Sequence, residues 1–286
     1  MDGRAVAPAA GTVLNALATG TGSAFAIDLE TTATVTLTDD GEVTGEIAEE
    51  PEEDASLIER CVELAVARYA EEDEDVGARV RTETDVPMAS GLKSSSAAAN
   101  ATVLATLEAL GVAEEVDRID ACRLGVQAAR EAGVTVTGAF DDASASMLGG
   151  VTVTDNTEDE LLAREEVGWH ALVYTPPERA YSADTDVSAC ESIAPMAELV
   201  AELALEGRYG EAMTVNGFAF CGALEFSPGP MVDALPDVEG VSLSGTGPSY
   251  VAVGERASLE AVRERWDGRT GTTRVLRTRT DGTRIL

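Results

Sequence analysis

Lysine and histidine are nearly missing from this chain of 286 residues, which carries one of each, Lys93 and His170. A single histidine argues against a Ser-His-Asp triad and against a multi-histidine metal site. His170 leads into the apolar run Ala171-Leu172-Val173-Tyr174 and sits in no carboxylate cluster, so a structural or surface role is expected. Aromatics are scarce at 4%, and the core must be built mainly from Ala, Val and Leu. Four cysteines, Cys61, Cys122, Cys190 and Cys221, form no CxxC pair and match no zinc or redox spacing. Cys61 and Cys122 lie in helix-like apolar stretches and read as small buried hydrophobes. No apolar run is long enough to span a bilayer. Met1-Asp2-Gly3-Arg4 lacks the basic region and long apolar core of a signal peptide. The expectation is a soluble cytoplasmic protein.

Positive charge is also in short supply. Fifty-two acids face twenty bases, a formal net charge of −32, and all the bases but Lys93 are arginine. Such a surface repels nucleic acid and anionic membranes, since phosphate backbones need a basic footprint. The acids are scattered along an apolar-patterned chain rather than gathered in a tail, so disorder is not the reading. A salt-adapted fold is. Self-repulsion at this charge is severe in dilute buffer and is screened at molar salt, where the Debye length falls to about 3 Å.

Along the chain, Ala24 to Leu29 and Thr34 to Thr38 read as strands, with Asp39-Asp40-Gly41 as a turn. Residues 54 to 71 carry a helical apolar face. Val80, Thr82 and Thr84 suggest a strand ahead of Pro87. Ser94 to Leu110 reads as a helix stopped by Gly111, and Asp117 to Ala132 as another stopped by Gly133. Val134 to Thr137 and Val151 to Val153 look like strands. The acidic stretch Asp155 to Glu166 looks like a surface connection and a boundary. Beyond it, His170 to Thr175, Val241 to Ser244, Tyr250 to Val253 and Thr272 to Thr280 read as strands. Residues near Cys190 to Glu225 and Ser258 to Trp266 read as helices. Strands and helices mixed without regular βαβ repetition indicate an α+β fold.

Three segments carry chemistry. In Pro87-Met88-Ala89-Ser90-Gly91-Leu92-Lys93-Ser94-Ser95-Ser96-Ala97, a strand feeds a small-residue loop that opens a helix. Free N–H groups and the dipole at such a helix start favour an anion. Gly91 permits close backbone approach, the serines offer hydroxyls, and Lys93 offers charge. The bland alternative is a tight turn with a polyserine cap. It is not a Walker A loop, because G-x-x-x-x-G-K-[ST] does not occur. The second segment, Gly138 to Gly150, sets Asp141 and Asp142 between glycines, where a turn cap competes with catalysis. The third, Ser244-Gly245-Thr246-Gly247, is a glycine-rich link between two strands, and a plain hairpin is its bland alternative.

Pro87-x-x-x-Gly91-Leu92-x-Ser94-Ser95 resembles the second signature of the GHMP kinases. Ala7-Pro8 to Asn15-Ala16 resembles the first, and Ser242-Leu243-Ser244-Gly245-Thr246-Gly247-Pro248-Ser249 the third, so the resemblance covers nearly the whole chain. Most members have glycine between the Leu and the Ser pair. Lys93 stands there in this chain, and Gly-Leu-Lys-Ser-Ser-Ser-Ala resembles the archaeal branch of the family that phosphorylates shikimate. Ala16 to Leu29 resembles the same branch.

The resemblance implies two domains, an S5 domain 2-like ATP-binding unit at 1–160 and a ferredoxin-like unit at 161–286. It implies ATP and Mg²⁺, held by residues 87 to 96 with Gly245, Thr246 and Gly247. The family's catalytic aspartate falls seven residues before a Gly-Gly pair, which selects Asp142 with Asp141 as its alternative. Glu131, eleven residues before Asp142, matches the magnesium-binding glutamate, with Ser95 as second ligand. Lys93 joins the catalytic set. Shikimate, with a carboxylate and vicinal hydroxyls, would draw on Asn15, Thr19, Ser23 and Arg179. Homoserine- or mevalonate-type kinases and a non-catalytic nucleotide sensor remain as alternatives.

Overall fold

The computed structural model describes residues 2–71, 75–178, 180 and 186–286. Two sheets dominate. The first has seven strands: β1 (Asp2–Leu14), β2 (Thr21–Thr38), β3 (Val43–Ile47), β4 (Gly77–Thr84), β5 (Val151–Asp155), β6 (Glu160–Glu165) and β11 (Arg284–Ile285). Its main path runs β11-β1-β2-β4-β3, with β5 added to β2 and β6 to β5. The second sheet is β10-β7-β9-β8, from β7 (His170–Thr175), β8 (Gly240–Leu243), β9 (Tyr250–Gly254) and β10 (Thr272–Arg277). All its pairings are antiparallel.

The two strands read at Ala24–Leu29 and Thr34–Thr38 are halves of one strand. β2 pairs β1 along its length but changes its other partner, from β5 over Thr21–Phe25 to β4 over Thr31–Thr38. The register against β1 shifts between Pro8 and Ala9, where proline has no N–H to give to the ladder.

Four helices pack on the first sheet or on one another: α1 (Ser56–Tyr69), α2 (Ser94–Ala109), α3 (Arg118–Glu131) and α4 (Phe140–Leu148). α2 is the central one. It is apolar nearly all round, and Ala97, Ala101, Val103, Leu104, Ala105 and Leu107 are fully buried. A helix with no polar face belongs inside. Its alanines let it sit directly on β1: a Cβ on Gly3 would lie 2.0 Å from the Ala105 carbonyl oxygen. Cys61 and Cys122 are free thiols in this same core.

In the second half, a 3-10 turn (Cys190–Ile193) leads into α5 (Ala194–Leu205), followed by α6 (Tyr209–Ala223), α7 (Gly229–Ala234) and α8 (Arg256–Trp266).

Three readings need correction. Val134 to Thr137 is a loop, not a strand, and it lines a cavity. Phe140 to Leu148 is a helix. The acidic stretch contains β6, which begins at Glu160 and is an outer strand of the first sheet. β11 also returns to that sheet after the second one is complete.

Most arginines are engaged in exposed ion pairs such as Arg60–Glu63, Arg81–Glu83 and Arg208–Glu211. Each contributes little and is weakened further by salt. The large excess of carboxylates is therefore the dominant electrostatic feature. Dialysis from molar KCl into dilute buffer is expected to lower the thermal midpoint steeply and to collapse the far-ultraviolet circular dichroism. Full helical signal in dilute buffer would contradict this.

Candidate active site

The loop after β4 is shaped by its own small residues. The Ser90 hydroxyl donates to the Pro87 carbonyl at 2.6 Å, and Leu92, 1% exposed, anchors the loop in the core. Gly91 has φ +80°, and a Cβ there would lie 2.3 Å from the Ser244 carbonyl oxygen. Lys93 takes the left-handed conformation, φ 66°, and starts α2 without any side-chain cap. The first-turn N–H groups of α2 are thus left for another acceptor. Around them lies a cavity of about 400 Å³, bordered by Ser94, Ser95 and Ser96. Ile47, Leu57, Ile58 and Val126 contribute apolar wall, while Thr137, Asp141, Asp142 and Thr246 contribute polar wall.

α4 starts on the same cavity. Gly138 and Ala139 both have positive φ, turning the chain sharply into Phe140. Asp141 and Asp142 fall in the first turn, where the helix dipole favours negative charge. Asp142 Oδ1 lies 2.8 Å from Lys93 Nζ, with the two side chains only 13% and 7% exposed. The start of α2 and the start of α4 are therefore joined by a buried ion pair.

Asp141 is held separately. Asn156 Nδ2 donates to its Oδ1 at 2.7 Å. Gly22 on β2 passes so close that a Cβ there would lie 2.6 Å from Asp141 Oδ2. Burial, and then the charge of Asp142, push the Asp141 carboxyl up to about 7, against the opposing pull of Lys93 and Asn156.

Below the ordinary carboxylate range both folded and unfolded chains hold this proton. Between that range and about 7 the unfolded chain releases it while the folded chain keeps it. This group's effect on stability therefore worsens as pH rises through that window and levels off above it. Asp141→Asn is expected to raise the thermal midpoint more at pH 8 than at pH 5. An equal shift at both would show that Asp141 titrates normally.

The glycine-rich loop between β8 and β9 closes over the pair. Gly245 N–H donates to Thr12 Oγ1 at 2.8 Å, and Asn15 Nδ2 donates to the Gly245 carbonyl at 2.8 Å. The Ser244 hydroxyl donates to the Gly91 carbonyl at 2.8 Å, and Ser249 N–H donates to the Ser90 carbonyl at 3.1 Å. A Cβ on Gly245 would sit 2.8 Å from Lys93 Nζ. Phosphate loop and glycine loop are thus packed backbone to backbone.

Most of the expected residues meet here. Met88, Ala89, Ser90, Gly91, Lys93, Ser94, Ser95, Ser96, Asp141, Asp142, Gly245, Thr246 and Asn15 border the cavity. Leu92 is core, Pro87 borders a neighbouring cleft, and Gly247 packs on the Phe226 ring. Thr19 and Ser23 are not on the wall: the Thr19 hydroxyl accepts from Thr21 N–H, and Ser23 is fully buried within β2. Arg179 lies outside the described residues.

Glu131 needs correction as a magnesium ligand. At the last position of α3 its carboxylate turns outward, accepting from Arg60 Nε at 2.5 Å and Gln127 Nε2 at 2.8 Å. It does not border the cavity. Among the described residues, no group of three or more His, Cys, Asp or Glu could hold a metal ion. Asn156 lies in no motif, and Thr12 lies inside the first-signature stretch without being named there. A lone asparagine in the acidic turn after β5 was the only signal for the first.

A family profile described as the GHMP kinases N terminal domain matches residues 56–150. Shikimate kinase from Halobacterium salinarum is 65% identical over 285 residues, 99% of both chains. Shikimate kinase from Methanosarcina mazei is 51% identical over 269 residues, covering 93% of this chain and 90% of its own. Among solved structures, homoserine kinase from Cytophaga hutchinsonii superposes with TM-score 0.77 at 19% identity, covering 100% of this chain and 97% of its own. Mevalonate kinase from Methanococcus jannaschii does so with TM-score 0.75 at 15% identity, covering 97% and 98%. The two solved structures establish the α+β GHMP kinase fold, and the full-length identity establishes the branch: the chain belongs to the archaeal shikimate kinases of the GHMP kinase family.

Proposed function

We propose that this protein transfers the γ-phosphoryl group of ATP to the 3-hydroxyl of shikimate, giving ADP and shikimate 3-phosphate. The observation that carries the reading is the buried Lys93–Asp142 pair at 2.8 Å, set where an uncapped helix start meets a cavity. Phosphoryl transfer demands little covalent help from a protein. It needs the phosphates positioned, their charge neutralised, and the attacking hydroxyl oriented in line.

The open N–H groups of α2, with Ser94, Ser95 and Ser96, would bind the phosphate chain, and the apolar wall from Leu57, Ile58 and Val126 suits a purine. Lys93 sets a positive charge 2.8 Å from Asp142 Oδ1. Asp142 then accepts the proton of the shikimate hydroxyl as the oxygen bonds to phosphorus and the bond to ADP breaks. Mg²⁺ fits this wall through the Ser95 hydroxyl and the nucleotide's own phosphates, since it commonly keeps waters and takes few protein ligands. When bound, it neutralises phosphate charge. Lys93 is the only cationic side chain among the described residues of the wall.

The test is ADP release coupled to NADH oxidation in molar KCl, with shikimate, homoserine and mevalonate as acceptors. Turnover with shikimate alone is expected. Turnover with another acceptor reassigns the substrate, and ATP binding without turnover of any acceptor overturns the enzymatic reading.

A further inference from the structure

The turn between β5 and β6 contains a residue that touches both ends of the catalytic problem. Asn156 is 3% exposed, and its side chain makes four contacts. Its Oδ1 accepts from Asp141 N–H at 3.1 Å and from the Thr154 hydroxyl at 2.8 Å. Its Nδ2 donates to Asp141 Oδ1 at 2.7 Å and to Thr137 Oγ1 at 3.4 Å. One amide therefore caps the first turn of α4, fixes the carboxyl next to Asp142, and reaches the cavity wall at Thr137.

The turn itself is immobilised. Arg130 on α3 grips Asp159 through two bonds, Nη1 to Oδ2 at 2.6 Å and Nη2 to Oδ1 at 2.7 Å. The same Nη2 donates to the Asn156 carbonyl at 3.1 Å and the Thr137 carbonyl at 3.3 Å. Gly22 also lies close against Asp141: a Cβ there would come within 2.6 Å of the Asp141 Cβ, Cγ and Oδ2. Asp141 is thus confined by Asn156 and Gly22, and the next residue of the same helical turn is Asp142. A rotation of α4 about its start would move both carboxyls and break the contact to Lys93.

We propose that Asn156 is a positioning residue for phosphoryl transfer, holding the start of α4 so that Asp142 meets Lys93 and the acceptor hydroxyl in one fixed geometry. Asn156 touches no substrate in this scheme and acts through Asp141. The inference rests on the kinase reading above, and the wild-type enzyme assayed alongside keeps the two separable. Absence of wild-type turnover would strike the kinase reading, whereas a difference between wild type and variants bears on Asn156 alone.

The experiment measures kcat, KM for ATP and KM for shikimate in molar KCl, with thermal midpoints, for Asn156→Ala, Asn156→Asp and Gly22→Ala. Misplacement of a reacting group by about 1 Å can lower a rate about 10²-fold. Asn156→Ala is expected to lose kcat on that order with KM for ATP unchanged, because the α2 phosphate site is untouched. Asn156→Asp keeps the two acceptor contacts and loses the donor to Asp141, so it separates helix capping from carboxyl positioning. It is expected to remain folded and to share the kcat loss. Gly22→Ala presses on Asp141 and is expected to lower kcat likewise. Wild-type kcat in Asn156→Ala would overturn the proposal. Full kcat in Asn156→Asp would also overturn it, reducing the residue to a helix cap. If Asn156→Ala fails to fold, the other two variants decide.

Discussion

Asp142→Asn is expected to bind ATP with unchanged affinity and to lose about 10²–10⁴-fold in kcat, the usual range for removing a general base. The substitution is nearly isosteric, so the cavity keeps its shape. The amide oxygen can still face Lys93 Nζ, which lies 2.8 Å from Asp142 Oδ1. What disappears is the ability to take a proton. Calorimetric titration with ATP, set beside steady-state kinetics with shikimate, separates the two effects. Near-normal turnover would move the base to Asp141, which is also in the first turn of α4 and on the same wall. Asp141 is the poorer base on structural grounds, because Asn156 and Gly22 confine both of its oxygens.

Lys93→Met is expected to have the largest combined effect, removing turnover, weakening ATP and destabilising the fold. Removing one member of a buried ion pair leaves the other charged in a poorly solvated place, at a cost of about 3–5 kcal/mol. The double variant Lys93→Met/Asp142→Leu is expected to recover much of that stability and none of the activity. Denaturant unfolding in molar KCl measures the first quantity and the coupled assay the second. If the single variant is as stable as the wild type, the pair is solvated and the electrostatic reading fails. Lys93→Arg is a sharper probe. The ammonium fits beneath Gly245, where even a Cβ would come within 2.8 Å of it. A planar guanidinium is wider and cannot occupy that space without moving the glycine loop. On a chain whose other bases are all arginine, the one lysine marks a place where size decides.

The parts of this site that were legible in the sequence are those where backbone geometry dictates residue type. Gly91 and Gly245 are close-approach points, and the serines at 94 to 96 open a helix. α2 was visible because its apolar run is long and its ends are marked by serine and Gly111. α4 was not, for a physical reason. It is only nine residues long, too short for a periodic pattern to stand out, and its glycine-flanked acids read as a turn. β6 was hidden by composition. Its glutamates and Arg164 face solvent on an outer strand, and acidic residues in an acidic chain look like loop.

Glu131 shows the opposite failure. The family resemblance matched it, eleven residues before Asp142, to a magnesium-binding glutamate, but residues one apart on a helix point about 100° apart. α3 presents Val126 and Ala129 to the cavity and turns Glu131 toward Arg60. Asn156 showed in the sequence only as a lone asparagine in an acidic turn, because its importance lies in a contact made across fifteen residues.

The far end of α4 has a bearing on how the protein is made. Thr283 N–H donates to the Met147 carbonyl, and a Cβ on Gly282 would lie 2.0 Å from that same carbonyl oxygen. Two residues later, β11 pairs with β1, residue 285 opposite residue 5. A nascent chain emerging from the ribosome must therefore expose the free edge of its first strand until nearly every codon up to Ile285 has been read. The helix bearing Asp141 and Asp142 cannot be seated from below before then. Residues 282 to 285 thus help to seat the helix that carries the site's aspartates, and a change in them is an edit to the active site.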